Sequence, residues 1–185
     1  MRVFFVRLQL AMALTVFWAG GVFAQMERTV YQTFSLDSVT TFQLDVVGFT
    51  EVEVKTWAGN TVLSEVQIQL WDASPEILNF MVDNGRYRFL FDKKGSFARI
   101  ASEQRDRKLV KTKLSNGAAC QEITRLRIFL PDTYGWDPTL DAGSDGVLKE
   151  NTDALFRWVA GSEEVVSQEQ QNKYTLIKTF QLKSR

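Results

Sequence analysis

The stretch Leu44–Leu70, LDVVGFTEVEVKTWAGNTVLSEVQIQL, decides how this chain is read. From Glu51 to Lys55, Val52 and Val54 fall on one face, and Glu51, Glu53 and Lys55 on the other. After Trp57-Ala58-Gly59-Asn60 the alternation resumes, with Val62, Val66, Ile68 and Leu70 opposing Leu63, Glu65, Gln67 and Gln69. Side chains two apart share a strand face, so the pattern predicts two half-buried strands. Gly59-Asn60 supplies residues that tolerate positive φ, and the two strands are expected to form a hairpin.

Upstream, Val30, Phe34 and Leu36 suggest an irregular first strand. Gly48 interrupts the next apolar run and predicts consecutive strands at Phe42–Val46 and Phe49–Thr56. Downstream, the period changes. Ser74 as cap, Pro75 at the first helical position and Asn84-Gly85 at the end predict a helix over Pro75–Asp83. Ile77, Leu78, Phe80 and Met81 are expected to line its core face. Arg86–Asp92 and Phe97–Ala101 then flank the loop Lys93-Lys94-Gly95-Ser96. Glu103–Lys113, rich in arginine and lysine, is expected to be a solvated edge strand and loop. Leu109–Leu114 and Cys120–Leu130 flank Ser115-Asn116-Gly117, a hairpin signal, and Pro131 stops the second arm. Val147-Leu148 and Leu155–Val159 are short strand candidates. The expected fold is all-β with one short helix, a two-sheet antiparallel sandwich, with a short β-solenoid as the alternative.

Arg2 and Arg7 flank a basic start, Leu8–Ala24 is apolar except for Gln9 and Thr15, and Val22-Phe23-Ala24 offers small residues at the positions a signal peptidase reads. Residues 1–24 are therefore expected to be a signal peptide cleaved after Ala24, with an uncleaved anchor as the alternative. Contact with the membrane would be transient, through that segment alone. Residues 25–160 read as one β-rich domain. Residues 161–185 read as a polar segment followed by a terminal edge strand near Tyr174–Leu182. Export places the protein in the periplasm or at the cell surface.

The chain has 22 basic and 22 acidic side chains. Losing Arg2 and Arg7 leaves it slightly acidic, which argues against nucleic acid as a partner. No histidine is present, which removes the commonest general base and the usual zinc and haem ligands. One cysteine, Cys120, cannot build a zinc or iron–sulfur site and reads as a small buried hydrophobe. Phosphate-loop and dinucleotide fingerprints are missing. Asp141, Asp145 and Gly146 occupy three places of a calcium loop with Asp137 nearby, but Gly143 and Thr152 stand where oxygen ligands are required. No catalytic residue, metal ligand or cofactor is assigned. Of the tryptophans beyond the leader (Trp57, Trp71, Trp136 and Trp158), Trp57 is the candidate partner-binding residue. Counting by twos puts it on the Glu53/Lys55 face, where its ring either folds over the sheet edge or stays open to a partner.

From Leu44 through Pro131 the chain resembles exported bacterial proteins related to the auto-transporter adhesin (head GIN) families. The residues that carry this are Leu44-Asp45-Val46-Val47-Gly48, Glu51 through Val62, Asn84-Gly85-Arg86-Tyr87, and Cys120-Gln121-Glu122 leading to Ile128-Phe129-Leu130-Pro131-Asp132. The resemblance implies a β-solenoid or sandwich at the cell envelope and transfers no functional residue. The expected function is a non-catalytic, adhesin-like binding or structural module whose partner is an envelope protein or a surface glycan. The alternative is a carboxylate-dependent hydrolase of envelope polysaccharide.

Overall fold

Two mixed β-sheets face each other across one apolar core in the computed structural model, which describes residues 25–112, 120–136, 147–149, 156–159 and 175–183. The first sheet contains β1 (Met26–Ser35), β3 (Glu51–Trp57), β4 (Thr61–Leu70), β7 (Glu122–Pro131), β9 (Val147–Lys149) and β10 (Phe156–Val159), in the order β1-β4-β7-β3-β10-β9. The second contains β2 (Thr41–Val47), β5 (Phe89–Lys94), β6 (Phe97–Ser102), β8 (Tyr134–Trp136) and β11 (Thr175–Leu182), in the order β5-β6-β2-β11-β8. Among the described residues a single helix, α1 (Pro75–Asp83), is present, and it links β4 to β5.

The all-β, two-sheet architecture agrees with the alternation in the sequence. The purely antiparallel pairing does not: β2 pairs β6 in parallel, and β3 pairs β7 in parallel. The β-solenoid alternative also fails, because most neighbours are antiparallel and the strand order crosses over repeatedly. The expected hairpin between β3 and β4 is split. Its two arms are antiparallel in direction, but β7 lies between them, pairing Val54 with Ile128 on one side and Ser64 with Ile128 on the other. The turn after Trp57 arches over the end of β7, where Pro131 needs no hydrogen-bond acceptor and Asp132 N–H donates to Trp57 O at 3.0 Å.

Gly48, at φ +76°, sends the chain from one sheet to the other between β2 and β3. This left-handed conformation suits glycine, and a Cβ there would meet Arg107 Cδ at 2.8 Å. Helix α1 ends as expected. Gly85 sits at φ +75°, its N–H donates to Val82 O, and Arg86 N–H donates to Met81 O, which together satisfy the last carbonyls. The predicted core stripe is narrower than expected: Leu78 and Met81 are buried and Ile77 packs at the core margin, but Phe80 is 65% exposed. With two large side chains already filling the contact, Phe80 is carried round to solvent.

β11 is not an edge strand: it runs between β2 and β8, placing Leu176 and Phe180 in the core. The hairpin expected around Ser115-Asn116-Gly117 lies outside the described residues. Both sides of β7 are in any case occupied by β3 and β4. The leader and the Asp137–Gly146 turns likewise lie outside the described residues.

Candidate functional site

Inserting β7 between β3 and β4 aligns outward-facing residues from three strands into rows. Glu65, Arg127 and Glu53 form one row, and Leu63, Phe129 and Lys55 the next. In the first row Arg127 reaches both neighbours, with Nη1 3.0 Å from Glu65 Oε1 and Nε 3.4 Å from Glu53 Oε2. Lys55 Nζ lies 3.3 Å from Glu53 Oε1, and Gln67 Nε2 donates to Glu65 Oε1 at 3.1 Å. Arg125 extends the pattern to Glu51 at 3.7 Å and to Gln69 Oε1 at 3.3 Å. Each such pair at the surface contributes little stability by itself. Cross-strand ladders of opposite charge nonetheless hold one another in place.

Trp57 closes this face at the turn end. Its indole N–H donates to Thr61 O at 2.9 Å, and its ring lies 6.4 Å from that of Phe129, tilted by 53°. Gly59 backs the ring so closely that a Cβ would meet Trp57 Cε2 and Cζ2 at 2.5 Å. The half-buried ring is folded over its own turn and held there, still on the outward face. Three anchors fix one orientation. The result is a patch in which two half-buried aromatic rings, tilted against each other, adjoin a row of charged hydrogen-bonding groups. Such a patch can stack on the C–H face of a sugar and bond its hydroxyls.

Round the same turn, an open groove of about 500 Å³ runs between the β1–β2, β3–β4 and β7–β8 connections. Asp37, Thr40, Asn60 and Asp132 give it a polar lining, and Tyr134 O–H donates to Val39 O at 2.6 Å beneath it.

A second cluster is sealed from solvent. Arg86, Arg107, Tyr87 and Glu122 are all buried, in a segment that the sequence suggested was solvated loop on the Arg107 side. Arg107 escapes that expectation because its guanidinium lies 4.5 Å over the Phe49 ring and donates to Gly48 O at 2.8 Å. Burial lowers its pKa to about 10, with Glu122 opposing and Arg86 reinforcing the shift, so it stays charged at neutral pH. Burial alone would raise Glu122, but hydrogen bonds and charge from Arg86, aided by Arg107, hold its carboxyl below the ordinary value of 4.5. Burial, reinforced by Glu122, pushes the Tyr87 phenol far above its usual range. Burial also raises the Cys120 thiol, which is packed in the core as a small hydrophobe. This cluster has the character of a structural lock.

Asp45, also buried, is held by Arg99 and by Arg105 Nη1 at 2.9 Å. Glu122 and Asp45 are the buried acids among the described residues, and both are committed to arginines. Trp158 is a core residue, while Trp71 and Trp136 are half-buried. Among the described residues no group of three or more histidine, cysteine, aspartate or glutamate side chains is arranged to hold a metal ion. Strand alternation alone placed Trp57 outward; Phe129, Leu63 and Arg127 joined it only through the β3–β7 register, which has no local signature. Compared with family models, curated proteins and solved structures, the chain matches none.

Proposed function

We propose that this chain is a non-catalytic exported protein of the cell envelope that binds surface glycan through the outer face of its six-stranded sheet. The observation that carries this reading is the Trp57–Phe129 pair, held beside the Glu65–Arg127–Glu53 row. Aromatic rings fixed before binding lose little freedom on contact, which favours affinity for flat, weakly hydrophobic ligands such as sugar rings. The groove beyond Asn60 offers a polymer a continuation past the first ring. The resemblance to head GIN adhesin families and the signal-like start support the same envelope location.

The hydrolase reading is weaker. Glycoside hydrolysis takes a pair of carboxyl groups facing one cleft, one of them protonated near neutrality. Glu122 is driven the opposite way, and both it and Asp45 are tied to guanidinium groups inside the fold.

The test is co-sedimentation of the protein lacking residues 1–24 with insoluble cell-wall glycan. Trp57→Ala and Phe129→Ala should each weaken binding about tenfold, corresponding to about 1.4 kcal/mol of stacking. Failure of the parent protein to co-sediment, or full binding by both folded variants, would overturn the proposal.

A further inference from the structure

Among the described residues, β1 leaves one long edge of the six-stranded sheet open. It pairs with β4 along all ten residues, from Met26 with Leu70 to Ser35 with Thr61, and no described strand lies on its other side. The other sheet edges are defended in ordinary ways. β5 carries Asp92, Lys93 and Lys94, whereas β8 and β9 are three residues each. β1 has none of these protections from Thr29 to Ser35. That stretch, Thr-Val-Tyr-Gln-Thr-Phe-Ser, contains no charge, proline or glycine and is rich in strand-forming residues.

Burial along β1 is also incomplete. Met26 and Val30 face the core side but are only partly buried, although their β4 partners Leu70 and Val66 are 0% and 1% exposed. A hollow of about 280 Å³ opens beside Val30 and Gln32, against Val82 and Asp83 of α1. A strand added to this edge would direct inward side chains into that hollow.

We propose that the occupant is a second copy of this chain, with β1 pairing antiparallel to β1 of the partner copy about a two-fold axis at Tyr31. The sequence is self-complementary in that register. Tyr31 meets Tyr31 of the partner copy, Thr29 meets Thr33, and Val30 meets Gln32. Aromatic pairs and threonine pairs of this kind are favourable across antiparallel strands. Glu27 would oppose Ser35 and Arg28 would oppose Phe34, so no like charges face each other. Without residues 1–24, and so without Arg2 and Arg7, the chain is only slightly acidic and adds little long-range repulsion between copies. An isologous contact of this kind closes on itself and gives a dimer. The two outer faces then form one surface with Tyr31 at its centre. The dimer does not depend on that face binding glycan.

The experiment is sedimentation velocity on the protein lacking residues 1–24, from low to high micromolar concentration. The parent protein should shift from single-chain to double-chain mass. Tyr31→Lys and Tyr31→Glu should each remain single-chain, because the substitution sets like charges opposite each other across the axis. Tyr31 is 60% exposed, so both variants should keep the parent thermal midpoint. An equimolar mixture of the two should regain the double-chain mass, a rescue that simple damage to the fold would not produce. Single-chain mass for the parent throughout, parent-like dimerisation of either variant alone, or a mixture that stays single-chain would each overturn the proposal.

Discussion

Arg86 grips Glu122 at two points inside the fold, with Nη2 2.7 Å from Oε2 and Nε 3.2 Å from both carboxylate oxygens. The remaining guanidinium nitrogen, Nη1, donates to Lys108 O at 3.0 Å, so the pair ties β7 to both the α1–β5 connection and the segment after β6. Removing one partner strands the other charge away from water. Arg86→Met should therefore cost about 3–5 kcal/mol in urea denaturation at neutral pH, and adding Glu122→Leu to it should recover part of that loss.

The same pair sets an acid limit. Glu122 titrates below 4.5 when folded, whereas an unfolded glutamate titrates near its ordinary value, so its stabilising contribution is fully present above that value. It is lost as pH falls through the lower, folded pKa, because the unfolded chain binds the proton more readily. Urea midpoints measured from neutral pH downward should stay level until the ordinary glutamate range and then fall. Glu122→Gln should flatten part of that decline.

Helix α1 offers an internal comparison. Leu78 is 5% exposed and Phe80 is 65% exposed, two positions apart on one helix. Leu78→Ala should cost about 2–5 kcal/mol, as large truncations in a core do. Phe80→Ala should stay within about 0.5 kcal/mol of the parent, as surface changes usually do. Thermal or urea melts of the two variants check both values.

Gly59→Ala tests the posture of Trp57 without touching the ring itself. The new methyl would occupy space within 2.5 Å of the indole carbons, so the ring must leave Gly59 or the turn must shift. The expected result is a changed tryptophan fluorescence spectrum and weaker glycan co-sedimentation, with a loss of stability of about 1–3 kcal/mol, typical of overpacking. An unchanged spectrum would show that the ring is not held as described.

Much of this fold is legible in the sequence because alternation is a local property. Val52, Val54, Val62, Val66, Ile68 and Leu70 face the core as their spacing requires. The α1 signals at Ser74-Pro75 and Asn84-Gly85 mark its true ends. Neighbour order is not local. Nothing in Glu51–Leu70 announces that β7 will separate its two arms, so the sequence suggests a hairpin where the structure has a three-strand interleaf. Arg107 misleads for a related reason. Its neighbours Arg105 and Lys108 suggest solvent, while the Phe49 ring and Gly48 carbonyl that bury it come from the turn between β2 and β3. The site shares this division: Trp57 could be singled out from its own strand, but its companions came only with the register.

The split between β3 and β4 also governs how the chain must assemble. In an ordinary hairpin the arms zip together from the turn as soon as both exist. Here that shortcut yields a wrong neighbour, since Phe129 must come to lie between Leu63 and Lys55. The central sheet therefore waits for a strand made much later, and the search for that distant partner makes folding slow relative to locally connected domains. Until β7 docks, the inner edges of β3 and β4 remain open. Under the proposed export, a centre that closes late would keep the chain loose while it crosses a membrane.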